Sequence, residues 1–226
     1  MRNIKYLLTG CLLSASMLAI SNSWADGNDL KIYKITITNL TPGQPLAPVM
    51  AASHHTGITF FTAGEAPDDE LAMLAEAGNG KPMAAKLLAT PGVRDAQVST
   101  MGLTFPGNST TMTIKANRDS DHVSIGSMLG ATNDAFFAVS DVALPRKGSI
   151  ATYMANAYDA GSETNDELSS TVAGLGGEGY SPNDSGEGFV TIHNGVHGIG
   201  DLVPATHDWR NPVAKIVIER IVKGHH

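Results

Sequence analysis

Short runs of period-two alternation recur along most of this chain, separated by turn residues, and that pattern confines it to an antiparallel, mostly-β architecture. Residues 30–39 (Leu30-Lys31-Ile32-Tyr33-Lys34-Ile35-Thr36-Ile37-Thr38-Asn39) alternate apolar and polar side chains and are rich in β-branched residues, as a half-buried strand requires. Thr41-Pro42-Gly43-Gln44-Pro45 breaks the run. Further strands are predicted over residues 96–100, 110–115, 122–129, 135–139, 149–157 and 189–193. The closing run 212–222 scores as either helix or strand, and its β-branched content favours strand. Residues 46–62 show no period and carry the adjacent His54 and His55, which read as packing or surface residues. Many short strands with turns between them indicate a sandwich or a barrel. Gly174 to Gly188 reads as a long surface loop.

One or two short helices are inserted after the first strand. Pro67, Asp68, Asp69 and Glu70 suit a helix N-terminus, Leu71, Leu74 and Ala75 give the helix an apolar stripe, and Gly78-Asn79-Gly80 ends it. A second helix is expected from Pro82 to Leu88, stopped by Thr90-Pro91-Gly92.

The 226 residues suffice for one domain, and 42% hydrophobic residues suffice for its core. Only 16% are charged, with a net charge of −7 and no Lys/Arg cluster, so nucleic acid is not an expected partner. Residues 1–25 read as a signal peptide. Arg2 and Lys5 form the charged start, residues 6–20 are mostly apolar, and Ser23-Trp24-Ala25 supplies small residues at the −3 and −1 positions. The expected product is a secreted or periplasmic domain over residues 26–226, with no membrane span after cleavage. Leu8-Thr9-Gly10-Cys11 resembles a lipobox, although little apolar sequence precedes Cys11. That cysteine is the only one, so the mature domain is expected to have no disulfide.

Chemistry concentrates in two stretches. Tyr158-Asp159-Ala160-Gly161-Ser162-Glu163-Thr164-Asn165-Asp166-Glu167 holds four acids in ten residues. Carboxylates this dense repel unless a cation or solvent screens them, and Ca²⁺ takes six to eight hard oxygen ligands. Asn133-Asp134, 25 residues upstream of Asp159 at the end of a predicted strand, offers a second donor pair. The expected metal site comprises Asp134, Asp159, Glu163, Asp166 and Asn133, with two loops meeting at one rim. The competing reading is a solvated acidic loop. In the second stretch, His193 and His197 have helical zinc-site spacing and Asp201 follows, but Gly195, Gly198 and Gly200 oppose a helix. That stretch supports the alternative of an extracytoplasmic metal-dependent hydrolase using His193, His197 and Asp201, or else a glycine-dependent loop hydrogen-bonded internally. No nucleophile elbow, zincin helix, phosphate loop or C-x-x-C is present.

Several stretches in order resemble the spondin N-terminal domain family. Ala131-Thr132-Asn133-Asp134-Ala135-Phe136-Phe137 resembles its "Pro-Ser-Pro-Asp-Trp" segment, and Tyr158-Asp159-Ala160-Gly161-Ser162-Glu163 resembles its "aromatic-Asp-Ala-Gly-Thr-Asp" motif. Residues Asn211 to Ile221 resemble its closing strand, whose Val217-Ile218-Glu219-Arg220-Ile221 ending is close to literal, and Tyr33 to Ile37 its first. The Asn-Asp before paired phenylalanines, and His-Asn-Gly-x-His-Gly-Ile-Gly-Asp-Leu from His193, resemble the bacterial branch. The resemblance implies a C2-like antiparallel β-sandwich holding a divalent cation, Ca²⁺, at one loop end. It also implies a non-catalytic adhesion, matrix or binding role, with an extracellular protein or polysaccharide as partner. Asp134 and Asp159 match the family's two metal-binding aspartates. The family's third acid comes from an earlier strand, where this sequence has Thr113 and Lys115. Glu163 or Asp166 is our substitute for it.

Overall fold

The structure, a computed structural model, describes residues 30–183 and 185–221. The expected signal peptide, Cys11 and the end of the predicted closing run lie outside the described residues. In chain order the elements are β1 (Lys31–Asn39), β2 (Met50–His54), α1 (Asp69–Ala77), α2 (Lys81–Leu88), β3 (Val93–Val98), β4 (Ser109–Ala116), β5 (His122–Met128), β6 (Ala135–Ala143), β7 (Ile150–Asp159), β8 (Thr191–Ile192), α3 (Pro204–His207) and β9 (Ala214–Ile221).

All strand pairs are antiparallel, in the order β3-β2-β5-β6-β7-β9-β1-β4, with β8 added to β7. The nine-stranded sheet is nearly barrel-shaped. Its two ends approach each other where the Lys115 amide of β4 donates to Asp95 of β3 (2.8 Å) and Ser53 Oγ of β2 donates to the Lys115 carbonyl (2.6 Å). Strand β7 belongs to both halves. Residues Ile150 to Ala155 pair with β9, and Asn156 to Asp159 pair with β6.

Alternation places Tyr33, Ile35 and Ile37 of β1 inward, with Met112, Ile114, Phe137, Ile216 and Ile218, in the inner core. Each large side chain buried there contributes about 1.5–3 kcal/mol. A second core lies on the outer face of β2 and β6, where Met50, Ala52, Phe136 and Ala138 meet Leu71, Leu74, Met83 and Leu87 of the two helices. Helix α1 begins where the Asp68 carboxylate accepts the Leu71 amide (2.9 Å) and ends at Gly78 in the left-handed region, close to the sequence expectation.

Three departures have physical reasons. Strand β2 lies in the stretch without a period because both its faces are covered, and all five of its residues are buried. The predicted strand 189–193 shrinks to two residues, because the Gly64 amide bonds to the Val190 carbonyl and Val190 to the Glu65 carbonyl instead. The turn α3 has no apolar stripe to announce it. The ambiguous closing run is a strand between β1 and β7. Among the described residues no helix is long and apolar enough to cross a membrane.

Candidate functional site

The site is built where β6 begins and β7 ends. Thr132 Oγ1 donates to the Leu129 carbonyl (2.6 Å) and accepts the Ala135 amide (3.1 Å). That tight turn delivers Asn133 and Asp134 to the rim. Pairing of Ala135 with Asp159 brings the end of β7 alongside. Just behind, Phe136 stacks on Tyr158 (centroids 5.6 Å apart) and Phe61 packs edge-on against both. These rings anchor the strand ends that carry the two aspartates.

Beyond Asp159 the chain reverses through Gly161, whose φ of 68° suits glycine. The reversal turns two amides onto Asp134, whose Oδ2 accepts Ser162 N (2.9 Å) and Glu163 N (3.2 Å). Asp134 is fully buried, and among the described residues its Oδ1 has no hydrogen-bond partner. Asp159, 6% exposed, accepts Gly161 N (2.8 Å) and Asn165 Nδ2 (2.7 Å). Burial, then the charge of Asp159, hold the Asp134 carboxyl well above the usual carboxylate range, and Glu187 adds to this against the pull of the two amides. Burial also raises Asp159, with Glu187 adding, while bonds from Asn165 and Gly161 oppose. The charges acting on this buried pair are therefore negative.

The other expected ligands form an adjoining scaffold. Asn133 Nδ2 donates to Glu163 Oε1 (3.1 Å), Asp166 Oδ1 (3.0 Å) and Thr171 Oγ1 (3.1 Å), and its Oδ1 accepts the Glu167 amide (3.2 Å). Burial pushes Asp166 up, but bonds from Leu168, Thr171 and Asn133 outweigh it and hold that carboxyl below its ordinary value. Glu167, in the left-handed region at φ 60°, turns its buried carboxylate onto the amides of His197 (2.5 Å), Gly198 (2.6 Å) and Ile199 (3.0 Å). The acidic loop and the glycine loop are thereby clasped together.

That clasp decides the shape of the histidine stretch. Gly195 and Gly198 have φ of 92° and 75°, so the segment is not helical. His193 stands on Trp209 (centroids 4.9 Å) and its Nδ1 accepts the Gly195 amide (2.9 Å). Burial pushes the His193 imidazole down to about 4. His193 and His197 line one cleft together with Asp159 and Glu187. Asp201 faces elsewhere, accepting Ser169 N (2.9 Å) and Oγ (2.7 Å).

The structure thus brings Asp134 and Asp159 together, gathers Asn133, Glu163 and Asp166 beside them, and separates Asp201 from the two histidines. It adds one residue that sequence reasoning passed over. Glu187 reaches the aspartates because the Gly188 amide bonds to the Gly161 carbonyl (2.8 Å), and Asn165 Nδ2 lies 3.4 Å from its Oε1. Nothing in the glycine-rich tract announces that contact. Lys115, by contrast, lies beside β3. Among the described residues no three His, Cys, Asp or Glu side chains are grouped to hold a metal ion. A cation here would need oxygens beyond the carboxylates, from carbonyls, amides, water or a bound molecule. The unpartnered Oδ1 and the negative field fit such a guest.

Fold and site together define a mostly-β protein with one nine-stranded antiparallel sheet and a buried acidic pair at its rim. No protein-family model matches the sequence, and comparison with curated proteins finds no match.

Proposed function

We propose that this chain is a non-catalytic, extracytoplasmic β-sandwich of the spondin type, secreted or periplasmic. It holds one Ca²⁺ between Asp134 and Asp159 and acts as an adhesion, matrix or binding module. One observation carries the reading: Asp134 is fully buried with an unpartnered oxygen, and Asp159 and Glu187 add negative charge rather than relief. An isolated buried carboxylate costs several kcal/mol or takes up a proton, and a divalent cation removes that cost. The resemblance supports the same two aspartates as ligands. What supports the sandwich reading is β7, whose two parts pair with different neighbours.

With the cation bound, the loops at 131–134, 159–167 and 185–188 become one rigid rim able to present a surface to an extracellular protein or polysaccharide. Crystals grown with Ca²⁺ test this. The expected result is an ion about 2.3–2.6 Å from Asp134 Oδ1 and an Asp159 oxygen. Two carboxyls hydrogen-bonded to each other through a shared proton, with no ion, would overturn it.

A further inference from the structure

Beside the acidic pair opens a cleft of about 540 Å³, lined by Asp159, Glu187, Ile192, His193, Asn194 and His197 among others. Its volume falls within the range of small-ligand pockets, about 300–1,000 Å³. Asp159 belongs both to the pair and to this wall, so a cation held between the two aspartates would lie beside the cleft. Among the described residues no three His, Cys, Asp or Glu side chains are grouped to hold a metal ion, so a ligand in the cleft is placed to supply part of the remaining oxygen shell.

The wall narrows the choice of donor. It carries two carboxylates, amides, a threonine hydroxyl and two imidazoles, with no Lys or Arg among its residues. His193 is neutral near pH 7, because burial lowers its pKa to about 4. An anionic ligand would meet Glu187 uncompensated. A hydroxyl both donates and accepts, so a polyhydroxylated ligand can satisfy Glu187 as donor and Asn194 as acceptor or donor. Ile192, half exposed, offers an apolar face to the C–H side of a ring. The wall is also held in advance. Asn165 spans Asp159 and Glu187, and His193 is fixed by Trp209 and the Gly195 amide.

We propose that this cleft binds a neutral saccharide, two vicinal hydroxyls of which complete the coordination of the Ca²⁺ held by Asp134 and Asp159. The inference rests on the cation reading above and deepens it by naming the ligand class. Glu187, Asn194 and His197 hydrogen-bond the remaining hydroxyls.

Calorimetric titration of the whole protein with mannotriose, galactotriose and maltotriose, in Ca²⁺ and then in chelator, tests it, with trigalacturonate as the anionic arm. Ca²⁺ binding is measured separately. The variant Asn194→Ala/His197→Ala changes two exposed side chains outside the aspartate pair. At least one neutral trisaccharide should bind in Ca²⁺ and be released by chelator. The double variant should weaken it tenfold or more, with Ca²⁺ affinity unchanged. Ca²⁺ binding without binding of any neutral trisaccharide overturns this inference and leaves the cation reading standing. So does binding that survives chelator, preference for trigalacturonate, or a double variant that binds as the wild type does. Absence of Ca²⁺ binding overturns both.

Discussion

Asp134 is a buried carboxyl with an unpartnered oxygen among the described residues, and its replacement by the isosteric amide separates charge from shape. The folded carboxyl keeps its proton at a pH where the unfolded one has lost it. In chelator, therefore, the wild type loses stability as pH rises through the folded value. Asp134→Asn removes that loss, and in chelator at pH 7 it should be more stable than the wild type by about 1–3 kcal/mol, read by urea denaturation. A less stable variant would mean the carboxylate is already compensated. His193 gives a prediction of the other sign. Its imidazole falls from 6.5 to about 4 on folding, so the unfolded chain binds more protons between those values. Stability should fall as pH drops from about 6.5 to about 4, by on the order of 3 kcal/mol, and His193→Gln should flatten that limb of a stability–pH curve. The two aspartates were legible in the sequence because each sits at the edge of a strong strand pattern, Asp159 directly after Tyr158 and Asp134 two residues before Phe136. Glu187 was not, since its approach depends on a backbone contact between distant glycine loops.

At the scale of elements, the loops do what the sheet alone does not. Gly161 sits at φ 68°, and a Cβ there would lie 2.4 Å from the Phe189 carbonyl oxygen. Gly107 has φ 75° with nothing within 4 Å of its would-be Cβ. Gly107→Ala should cost only the left-handed strain, about 1–2 kcal/mol. Gly161→Ala should cost more than about 3 kcal/mol and disturb the amides that face Asp134. Equal losses in thermal denaturation would place the 185–188 loop away from the site. Glu167→Ala leaves the amides of His197, Gly198 and Ile199 without their acceptor. It should cost roughly 3 kcal/mol and raise amide exchange across 195–201, whereas unchanged exchange there would deny the clasp. Strands with one wet face announced themselves through their period. Strand β2 did not, because helices cover the face that would otherwise be polar. His54 of β2 read as packing or surface, and it is wholly buried with Nε2 on Ser124 Oγ at 2.8 Å.

On the scale of the whole molecule, strand content and helix placement followed from local pattern. Strand order did not. The path from β3 round to β4 is set by packing between segments far apart in sequence, and no alternation encodes which strand lies beside which. The near-closure of the sheet makes the rim a single end at which β6, β7 and the glycine loops converge, and there the molecule concentrates buried negative charge. The most direct test of that account is titration of chelator-treated protein with Ca²⁺, followed calorimetrically, for the wild type and Asp134→Asn. One saturable site that disappears in the variant is the predicted result. No heat from the wild type at millimolar Ca²⁺, or equal binding by both proteins, would contradict it.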